Sequence, residues 1–415
     1  MKKTALYTGL VGCLLAGQAL ADIEIRYDCW PNHDKTVVNE EVMAEFHKQN
    51  PGITIKVLSN NWVDHHNKLT TALATGSGAG DLVCVDTEQL GPLVNNGGFV
   101  DLSTSFDAKE DKTLFAPFAW AQGQGMDGTQ FAYPLNIGPG VMFYRREHMQ
   151  DISFNPDAVT KDWDALIDYG VKLKEKGVPL VGNAASLAQA IINTEVEAGN
   201  SIYFTPEGEP IVTNDRFVKA FTIAKKAREL GLDARVGDWS GEWLDGLNKG
   251  TFAVQFSGAW LAGFLESWIA PTTAGKWGSQ DLPEGNYGSW GGTLLAIPSQ
   301  SEHKEAAYKL MEFLTKNTIP VLHEFEVNAA FPAITSTYGE PMFDESMPFL
   351  GGDKARRQWA TIAENIKPIT PYKADNIARA VILEQALPSV VEDGADVQQA
   401  LQDAEKLIKR RMRNL

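Results

Sequence analysis

The alternation of strand and helix patterns at the start of the chain constrains its fold more than any other feature. Residues 22–30 (DIEIRYDCW) alternate apolar and polar side chains, residues 35–50 place apolar side chains at helical spacing, and residues 53–58 (ITIKVL) form a second strand pattern. A helix pattern at residues 65–76 and a strand pattern at residues 81–86 (DLVCVD) follow. The order strand–helix–strand–helix–strand predicts an α/β fold with a largely parallel sheet.

The carboxyl ends of those strands are where the sequence predicts a ligand. In open parallel sheets, ligands bind outside the carboxyl ends of the strands. Here these ends correspond to residues 30–33, 60–64 and 86–88, which carry aromatic, histidine, asparagine and carboxylate side chains. We therefore expect these three segments to contribute to one site.

A second alternation of patterns begins after Asp162. Residues 162–177 form a helix pattern that starts at an aspartate and stops at a glycine, and residues 178–182 (VPLVG) are a strand candidate. Amphipathic helix patterns follow at residues 186–199, 215–231 and 243–250, and residues 251–258 (TFAVQFSG) read as a strand. The chain of 415 residues is long enough for two or three domains, so we predict two α/β lobes rather than one large sheet.

The N-terminal segment has the pattern of a signal peptide. Lys2 and Lys3 precede an apolar stretch at residues 5–16, and small residues at positions 19 and 21 predict cleavage after Ala21. The alternative is a lipoprotein signal, because LVGC ends at Cys13. The residues after Cys13 stay apolar instead of forming a polar tether, so we favour an exported, soluble chain in the periplasm.

Charge and cysteine content limit the partners and the redox state. The formal net charge of −16 disfavours nucleic acid and anionic membrane surfaces, which need a basic footprint. Cleavage would leave two cysteines, Cys29 and Cys84. In an oxidising compartment these two cysteines could form a disulfide. Each also lies in a strand pattern, so two buried free thiols are an equally good interpretation.

Patterns that could indicate catalysis or a metal are weak. Residues 76–81 (GSGAGD) follow a helix and precede a strand, which is the wrong order for a phosphate-binding loop and predicts a helix stop. Asp64, His65 and His66, with His33 nearby, could be read as a zinc site, but adjacent histidines on a helix point in different directions. The chain has no GxSxG motif, and no carboxylate pair is singled out among its 53 acidic residues. We expect no catalytic residue, metal or cofactor.

The placement of tryptophans is the most informative local feature. Trp30, Trp62 and Trp260, among others, fall at predicted strand ends, loops or helix starts beside polar residues rather than inside apolar runs. A flat ring with hydrogen-bonding neighbours suits a sugar, whose C–H face stacks while its hydroxyls pair with carboxylates and amides. Trp290 lies among glycines in residues 287–298 (YGSWGGTLLAIP), which give it no local packing partner, so its expected partner is a solute.

The order of these segments resembles family 1 extracellular solute-binding proteins of ABC transporters, the maltose-binding-like group, over nearly the whole mature chain. The most specific segments are residues 127–149 (DGTQFAYPLNIGPGVMFYRREHM) and 291–315 (GGTLLAIPSQSEHKEAAYKLMEFLT). Residues 247–263 (LNKGTFAVQFSGAWLAG) are similar to a further motif of this family. The chain departs from the family pattern at residues 144–149 (YRREHM), where the family usually has Asn-Lys, and at residues 252–255 (FAVQ), where the family usually has Ala-Met.

The resemblance implies a type II, two-lobed periplasmic binding fold with hinge strands and an interlobe cleft. Its first lobe would comprise residues 22–133 and 293–332, and its second residues 134–292 and 333–415. It implies a non-enzymatic monomer that captures a sugar and delivers it to membrane permease subunits. The alternatives are a cationic solute such as a polyamine and, from another class, an exported hydrolase.

Mapped onto this chain, the family's cleft positions predict a set of ligand-binding residues. Carboxylates would accept hydrogen bonds from sugar hydroxyls, Asn136 could donate and accept, and Trp260 and Trp290 would stack. The predicted set is Trp30, His33, Trp62, Asp64, Asp86, Glu88, Asn136, Trp239, Trp260, Glu266, Trp290 and Gly291.

Overall fold

The computed structural model describes residues 23–94, 97–150, 152 and 155–413. The signal segment predicted at residues 1–21, its cleavage site after Ala21 and the alternative lipoprotein residue Cys13 lie outside these residues. Within the described ranges, no helix is both long and apolar enough to cross a membrane.

Strands of the described residues form a mixed sheet in the order β2-β1-β3-β7-β4-β5, with β6 and β8 also paired to β4. β1 is parallel to β2 and β3, while β3 is antiparallel to β7, and β4 is antiparallel to all its partners. The strands are β1 (Ile23–Cys29), β2 (Ile53–Ser59), β3 (Leu82–Asp86), β4 (Ala132–Arg145), β5 (Val254–Gly258), β6 (Trp277–Gln280), β7 (Ser289–Ala296) and β8 (Phe331–Pro332).

The long strand β4 joins two parts of this sheet. Its first half pairs with β7 and β8, and its second half pairs with β5 and β6. The pairing with β7 shifts register between Pro134 and Asn136 and again between Ile137 and Pro139, close to the change of partners. β4 therefore runs between the two halves, and β7 and β8 pair with it up to the change of partners, which is the arrangement expected of hinge strands.

The helices cover both halves of the sheet. The α-helices are α1 (Asp34–Val37), α2 (Glu40–Gln49), α3 (Trp62–Thr75), α4 (Thr87–Val94), α5 (Leu102–Ser105), α6 (Pro117–Gln122), α7 (Arg146–Gln150), α8 (Pro156–Val159), α9 (Trp163–Glu175), α10 (Ala184–Ile192), α11 (Asp215–Glu229), α12 (Gly241–Lys249), α13 (Leu261–Phe264), α14 (Lys304–Lys316), α15 (Thr318–Asn328), α16 (Ala355–Asn365), α17 (Asp375–Val381), α18 (Leu387–Val391) and α19 (Val397–Met412). Single π-helical turns follow α13 at Leu265–Ile269 and α17 at Ile382–Ala386.

Capping residues fix where the first long helices start and stop. The side chains of Asn39 and Asn61 accept hydrogen bonds from backbone nitrogens in the first turns of α2 and α3. α3 ends at Gly76, whose φ of 71° is the left-handed conformation that terminates helices. The predicted helix stop in GSGAGD is therefore confirmed.

Buried side chains pack on both halves of the sheet. One large cluster contains Ile25, Phe46 and Trp359, and a second contains Met142, Trp163 and Phe256. Around the second cluster, α10, α11, α17, α18 and α19 contact one another. The predicted strand at residues 178–182 is absent: Val181 instead makes isolated bridges to Asp233 and Val254. The two-lobed α/β class is confirmed, while the exact lobe boundaries stay a prediction.

Candidate ligand-binding site

A disulfide fixes the carboxyl ends of β1 and β3, from which two predicted site segments leave. The parallel register pairs Tyr27 with Leu82 and Asp28 with Val83, so Cys29 and Cys84 come next on neighbouring strands. Their Cα atoms are 4.9 Å apart and their sulfurs are bonded. Of the two interpretations that the sequence left open, the structure has the disulfide.

A cavity of about 300 Å³ opens beside these strand ends. One wall comes from the starts of α3 and α4, and the opposite wall from α10 with the segment after it and from α17 with the segment before it. Ser289 and Gly291 of β7 also line the cavity. Its lining residues are Trp62, Thr87, Glu88, Gln89, Gln122, Gln189, Asn193, Ser201, Ile202, Tyr203, Ser289, Gly291, Ile369, Thr370, Pro371, Asp375, Asn376, Arg379, Ala380 and Glu384.

The two walls touch at α4 and α17. A carboxylate oxygen of Glu88 lies 3.4 Å from the guanidinium of Arg379. A Cβ atom at Gly91 would lie 2.6 Å from the carbonyl oxygen of Tyr372, so only glycine lets α4 approach this closely. The cavity is therefore bounded by direct contacts between elements distant in sequence.

Trp62 and Asp86 are held together on the first wall. The indole nitrogen of Trp62 donates to Oδ2 of Asp86 at 3.2 Å. Nδ1 of His66 lies 2.8 Å from the carbonyl oxygen of Trp62, and its Nε2 lies 3.1 Å from the backbone nitrogen of Asp86. The first nitrogen must donate and the second must accept, so the ring is neutral. Burial, followed by the charge of His65, lowers the pKa of His66 to about 4.

Two carboxyl groups at the site, those of Asp86 and Asp375, have raised pKa values. Burial, together with the nearby Glu88 carboxylate, raises the pKa of Asp86 to about 7 against the opposing effect of the Trp62 hydrogen bond. On the opposite wall, burial raises the pKa of Asp375 to about 7, although Ser201 donates to it at 2.7 Å. Near neutral pH, both carboxyls can therefore accept or donate hydrogen bonds to a ligand.

Tyr203 and Gln122 add polar groups to the cavity. Tyr203 is buried, and burial raises the pKa of its hydroxyl, which keeps it a neutral hydrogen-bonding group. Gln122 is also buried, and among the described residues its Oε1 has no hydrogen-bond partner, while its Nε2 lies 3.5 Å from the hydroxyl of Ser289. A buried carbonyl oxygen without a partner is costly, so a donor from a ligand would stabilise it.

Three of the twelve predicted residues line the cavity, and two more adjoin it. Trp62, Glu88 and Gly291 are lining residues. A Cβ atom at Gly291 would lie 4.0 Å from both Oδ2 of Asp86 and Nε1 of Trp260, so those two side chains flank it. These five positions bring together the ends of β3 and β5, the start of α3 and the strand β7.

His33 and Asn136 instead make hydrogen bonds near the hinge strands β4, β7 and β8. His33 pairs through Nδ1 with the buried Glu324 at 2.6 Å, and its Nε2 lies 3.3 Å from the hydroxyl of Thr293. Oδ1 of Asn136 accepts from the backbone nitrogen of Thr293 at 3.1 Å, and Asn136 also pairs with Pro332 of β8. Both side chains are placed to hold the hinge strands, and neither lines the cavity.

Trp30 and Asp64 contact side chains that, like themselves, belong to the N-terminal part of the chain. The Trp30 ring contacts the rings of His33, His65 and His66 at centroid distances of 5.2, 5.5 and 5.2 Å. Asp64 lies in the first turn of α3, where its carboxylate accepts from the side-chain amide of Asn61 at 2.6 Å. Within the described ranges, no group of three histidine, cysteine or carboxylate side chains is arranged to hold a metal ion.

The remaining predicted residues lie on β7 and near α13. Trp239 and Trp260 have nearly parallel rings whose centroids are 6.0 Å apart, and Glu266 is exposed on the π-helical turn after α13.

The expectation that the Trp290 ring has no packing partner within the protein is wrong. A Cβ atom at Gly140 would lie 2.2 Å from that ring, so Trp290 rests on the bare backbone of β4 and against the second buried cluster.

Sequence reasoning missed several cavity residues. Tyr203, Asp375 and Arg379 come from segments for which the sequence predicted no function, and Gln122 lies at the end of α6. No local pattern marks them, because the long connections between distant segments bring them to the cleft. His66 was interpreted as a polar residue at a helix start near the cleft or, less favourably, as a zinc ligand; its role in joining Trp62 to Asp86 through its two nitrogens was missed.

The sequence matches the bacterial extracellular solute-binding protein family over residues 32–318, which is more than half of the chain. The chain belongs to this family. Among curated relatives, an arabinooligosaccharide-binding protein of Bacillus subtilis (strain 168) is 25% identical over 66% of this chain and 65% of its own length. The chain thus spans just under two thirds of that relative. A lactose-binding protein of Rhizobium radiobacter is 23% identical over 76% of each chain.

Solved structures of the solute-binding family share the fold. The crystal structure of an extracellular solute-binding protein of family 1 matches with a TM-score of 0.81 and 23% identity, covering 94% of this chain and 99% of the other. The correspondence extends over nearly the whole chain. The relatives named above are binding proteins, not enzymes.

Proposed function

We propose that this protein is the periplasmic receptor of an ABC importer and that it captures a neutral sugar in the cavity between its lobes. The observation that carries the proposal is a cavity with hydrogen-bonding groups on both walls: Trp62 and Glu88 face Tyr203 and Asp375 across it. The names of the arabinooligosaccharide- and lactose-binding relatives support a sugar as the ligand.

The proposed lobes are residues 22–133 with 293–332, and residues 134–292 with 333–415. With these boundaries, α3 and α4 belong to the first lobe, while α10 and α17 belong to the second. β4, β7 and β8 connect the lobes, and this supports a hinge at Asn136 and Thr293, where the backbone of β7 is bonded to the Asn136 side chain.

Capture follows from contacts that only a closed cleft can make. A sugar held by Trp62 and Glu88 alone gains nothing from closure, but closure adds Asp375 and Tyr203 from the other wall. The ligand therefore favours the closed state by the free energy of these added contacts. The closed receptor would then deliver the sugar to permease subunits in the membrane.

The chemistry of the cavity suits a neutral polyol. The Trp62 ring packs against His66 at a centroid distance of 4.5 Å and its nitrogen bonds to Asp86, but 40% of the residue is exposed, which leaves apolar ring surface for a sugar C–H face. Asp86 and Asp375, with pKa values of about 7, can accept from or donate to hydroxyls without a net change in ligand charge. We propose a binding function without catalysis, in a monomer that needs no cofactor and binds no nucleic acid.

A cationic solute such as a polyamine is the second candidate. Among the described lining residues, Glu88, Asp375 and Glu384 are acidic, and Arg379 is the only guanidinium. An acidic cavity with a tryptophan ring attracts an ammonium group. This candidate predicts tighter binding as the pH rises through 7 and the carboxyls ionise, whereas binding of a neutral sugar does not require that ionisation.

A thermal-shift panel tests the proposal. Lactose, arabinotriose, spermidine and zinc chloride are added separately to the purified mature protein at pH 6 and pH 8. A ligand at about 100 times its Kd adds roughly 2.7 kcal/mol of stability, which raises the Tm visibly. We expect a shift with at least one sugar and none with spermidine. A shift with spermidine alone would refute the sugar receptor, and release of monosaccharide products would indicate a hydrolase.

A further inference from the structure

A buried arginine joins two segments of the cavity wall that contains α10 and α17. Arg216 lies in the first turn of α11, and only 6% of the residue is exposed. Its Nη1 donates to the carbonyl oxygen of Ile192, and its Nη2 donates to the carbonyl oxygen of Ile202 at 2.6 Å. Ile192 is the last residue of α10, and Ile202 lines the cavity. One guanidinium therefore holds both segments from the inside of the protein.

The charge of Arg216 is not balanced by an ion pair. Within the described ranges, Arg216 pairs with no carboxylate, unlike the buried Arg145 and Arg228, which pair with Glu147 and Asp233. Burial lowers the pKa of Arg216 to about 10, so the side chain is still a cation at neutral pH. A buried cation without an ion-pair partner is costly. Packing of α11 alone does not explain why a charged side chain is retained here.

A relay of hydrogen bonds leads from Arg216 to a carboxyl group in the cavity. The Ile202 carbonyl that accepts from Nη2 belongs to the same peptide unit as the backbone nitrogen of Tyr203. That nitrogen donates to the hydroxyl oxygen of Ser201 at 3.2 Å. The Ser201 hydroxyl in turn donates to Oδ1 of Asp375 at 2.7 Å. Every hydrogen bond of this relay therefore points toward Asp375.

A cation at the start of such a relay strengthens its last hydrogen bond. Hydrogen bonds in a chain polarise one another when their donors point the same way. The guanidinium draws electron density from the carbonyl oxygen of Ile202, which makes the Tyr203 N–H and then the Ser201 hydroxyl stronger donors. A stronger donor stabilises the ionised form of Asp375, so the relay acts on its pKa in the direction opposite to burial.

Other charged and titratable groups also surround Asp375. Glu88, on α4 across the cavity, raises its pKa, and the backbone nitrogen of Tyr372 donates to its Oδ2 at 2.7 Å. Arg379 and Glu384, later on the same helix and its π-helical turn, line the cavity, and Arg379 pairs with Glu88. α19, which also contacts α17, contributes buried apolar side chains to the surrounding cluster. None of these groups belongs to the relay.

We propose that Arg216 is a positioning residue of the sugar site, which holds the Ser201–Tyr203 segment in place and strengthens, through the relay, the hydrogen bond that Ser201 gives to Asp375. Arg216 thereby keeps the Asp375 carboxyl in one orientation and favours its acceptor form, which suits sugar hydroxyls as donors. The inference rests on the proposed sugar-binding function, because Asp375 contacts a ligand only if one occupies the cavity.

The titration of Asp375 tests the relay without any ligand. Carbon-13 NMR of protein labelled at the aspartate carboxyl carbons gives the pKa, and the Asp375 signal is the one missing from Asp375→Asn. We expect Arg216→Gln to raise this pKa by about half a unit and Ser201→Ala to raise it at least as much. Arg216→Lys keeps the charge and should lie between Arg216→Gln and the wild type. Arg145→Gln, which removes a buried guanidinium bonded to other backbone carbonyls, is the control and should leave it unchanged.

The direction of the change separates the relay from a packing role. If Arg216 only packs the wall, its loss admits water, and the pKa of Asp375 falls toward about 3.9. A fall, or no change, would overturn the inference. In a Ser201→Ala background, Arg216→Gln should add nothing further, and an equal rise in both backgrounds would overturn the relay in favour of a direct effect of the charge. Where Arg216→Gln does not fold, an unchanged pKa of Asp375 in Ser201→Ala would overturn the inference.

Sugar affinity is measured separately, so that the relay and the proposed function can fail independently. In calorimetry with lactose and with arabinotriose, we expect Arg216→Gln to bind about fivefold more weakly, from the loss of the hydrogen bond that holds Ile202, and Arg145→Gln to bind as the wild type does. Wild-type affinity in Arg216→Gln would overturn the positioning role. If the wild type binds neither sugar, the sugar-receptor function fails and the positioning role in sugar binding fails with it, whatever the titration shows.

Discussion

Nε2 of His66 accepts a hydrogen bond from the backbone nitrogen of Asp86 at 3.1 Å, so the side chain of α3 fixes the end of β3. The other ring nitrogen donates to the carbonyl oxygen of Trp62 at 2.8 Å. Asp86 in turn accepts from the Trp62 indole. The three residues form a closed set in which His66 positions Trp62, which lines the cavity, and Asp86, which adjoins it.

Replacing His66 tests this positioning role. His66→Ala removes the acceptor for the Asp86 backbone nitrogen, and we expect about fivefold weaker sugar binding from one lost hydrogen bond. His66→Gln offers an amide oxygen at a similar reach and should retain most of the affinity. His47→Gln, on the partly exposed face of α2, is the matched control and should bind as the wild type does.

The pH dependence of sugar binding separates positioning by His66 from simple packing. The ring is neutral above its pKa of about 4, and protonation below that value removes the acceptor nitrogen. Calorimetry from pH 3.5 to 6 should show wild-type affinity falling as the pH drops through 4, with a smaller fall for His66→Gln. Parallel curves for the two proteins would contradict the positioning role.

Asp86 should make stability depend on pH in the neutral range. Its folded-state pKa is about 7, above the unfolded value of about 3.9, so the folded chain binds more protons between these values. Stability from this group is therefore present at low pH and is lost as the pH rises through 7. Asp86→Asn cannot ionise, so its urea midpoint relative to the wild type should rise from pH 5 to pH 7.5.

Asp403→Asn is the control for the pH experiment. The carboxyl of Asp403 is exposed, and hydrogen bonds from Gln399 and Lys406 lower its pKa, so it titrates below the tested range. Its midpoint relative to the wild type should stay constant from pH 5 to pH 7.5. The same constancy in Asp86→Asn would show that the Asp86 carboxyl is not perturbed by burial.

The ion pair between Glu88 and Arg379 should favour closure of the cleft. The pair is 3.4 Å long and both side chains are about 40% exposed, so its contribution is at most about 1 kcal/mol. Arg379→Glu places two carboxylates together, and we expect about fivefold weaker sugar binding because closure is opposed. The exchanged pair, Glu88→Arg with Arg379→Glu, should recover most of that loss in fluorescence titrations. An exchanged pair as weak as Arg379→Glu would mean that Glu88 acts on the ligand directly.

The disulfide should contribute substantially to stability. Cys29 and Cys84 are 55 residues apart, and closing a loop of that length stabilises a fold by about 4 kcal/mol in the chain-entropy model. Cys29→Ala with Cys84→Ala should therefore lower the free energy of unfolding by several kcal/mol in urea. Unchanged urea midpoints for the double variant and for the reduced wild type would contradict this prediction.

The first half of the fold was predictable because its signals are local. The βαβαβ order is readable from periodicity, and Gly76 marks the end of α3 in the sequence itself, whereas the start of α3 was predicted at residue 65, three residues after its true start at Trp62. The strand predicted at residues 178–182 failed because Val181 finds only isolated partners, which no local pattern reveals. Trp62 and Asp86, which the sequence placed in neighbouring segments, are hydrogen-bonded to each other, although Trp62 begins α3 instead of ending a strand.

The rest of the site depends on contacts between distant segments. Asp375 and Arg379 reach the cavity only because α17 returns to face α4, and nothing in their local sequence predicts that return. Trp290 shows the same limit: its neighbours in sequence are glycines, yet its ring rests on Gly140, which lies on another strand. Sequence reasoning therefore found the types of side chain at the site better than their exact positions.

Isothermal titration of the mature wild-type protein with lactose and with arabinotriose, followed by chromatography of the recovered ligand, tests whether the protein is a sugar receptor. We predict saturable binding of at least one of these sugars at one molecule per chain, with the sugar recovered intact. Binding of neither sugar, with saturable binding of spermidine in the same buffer, would contradict it. So would recovery of the sugar as cleaved products.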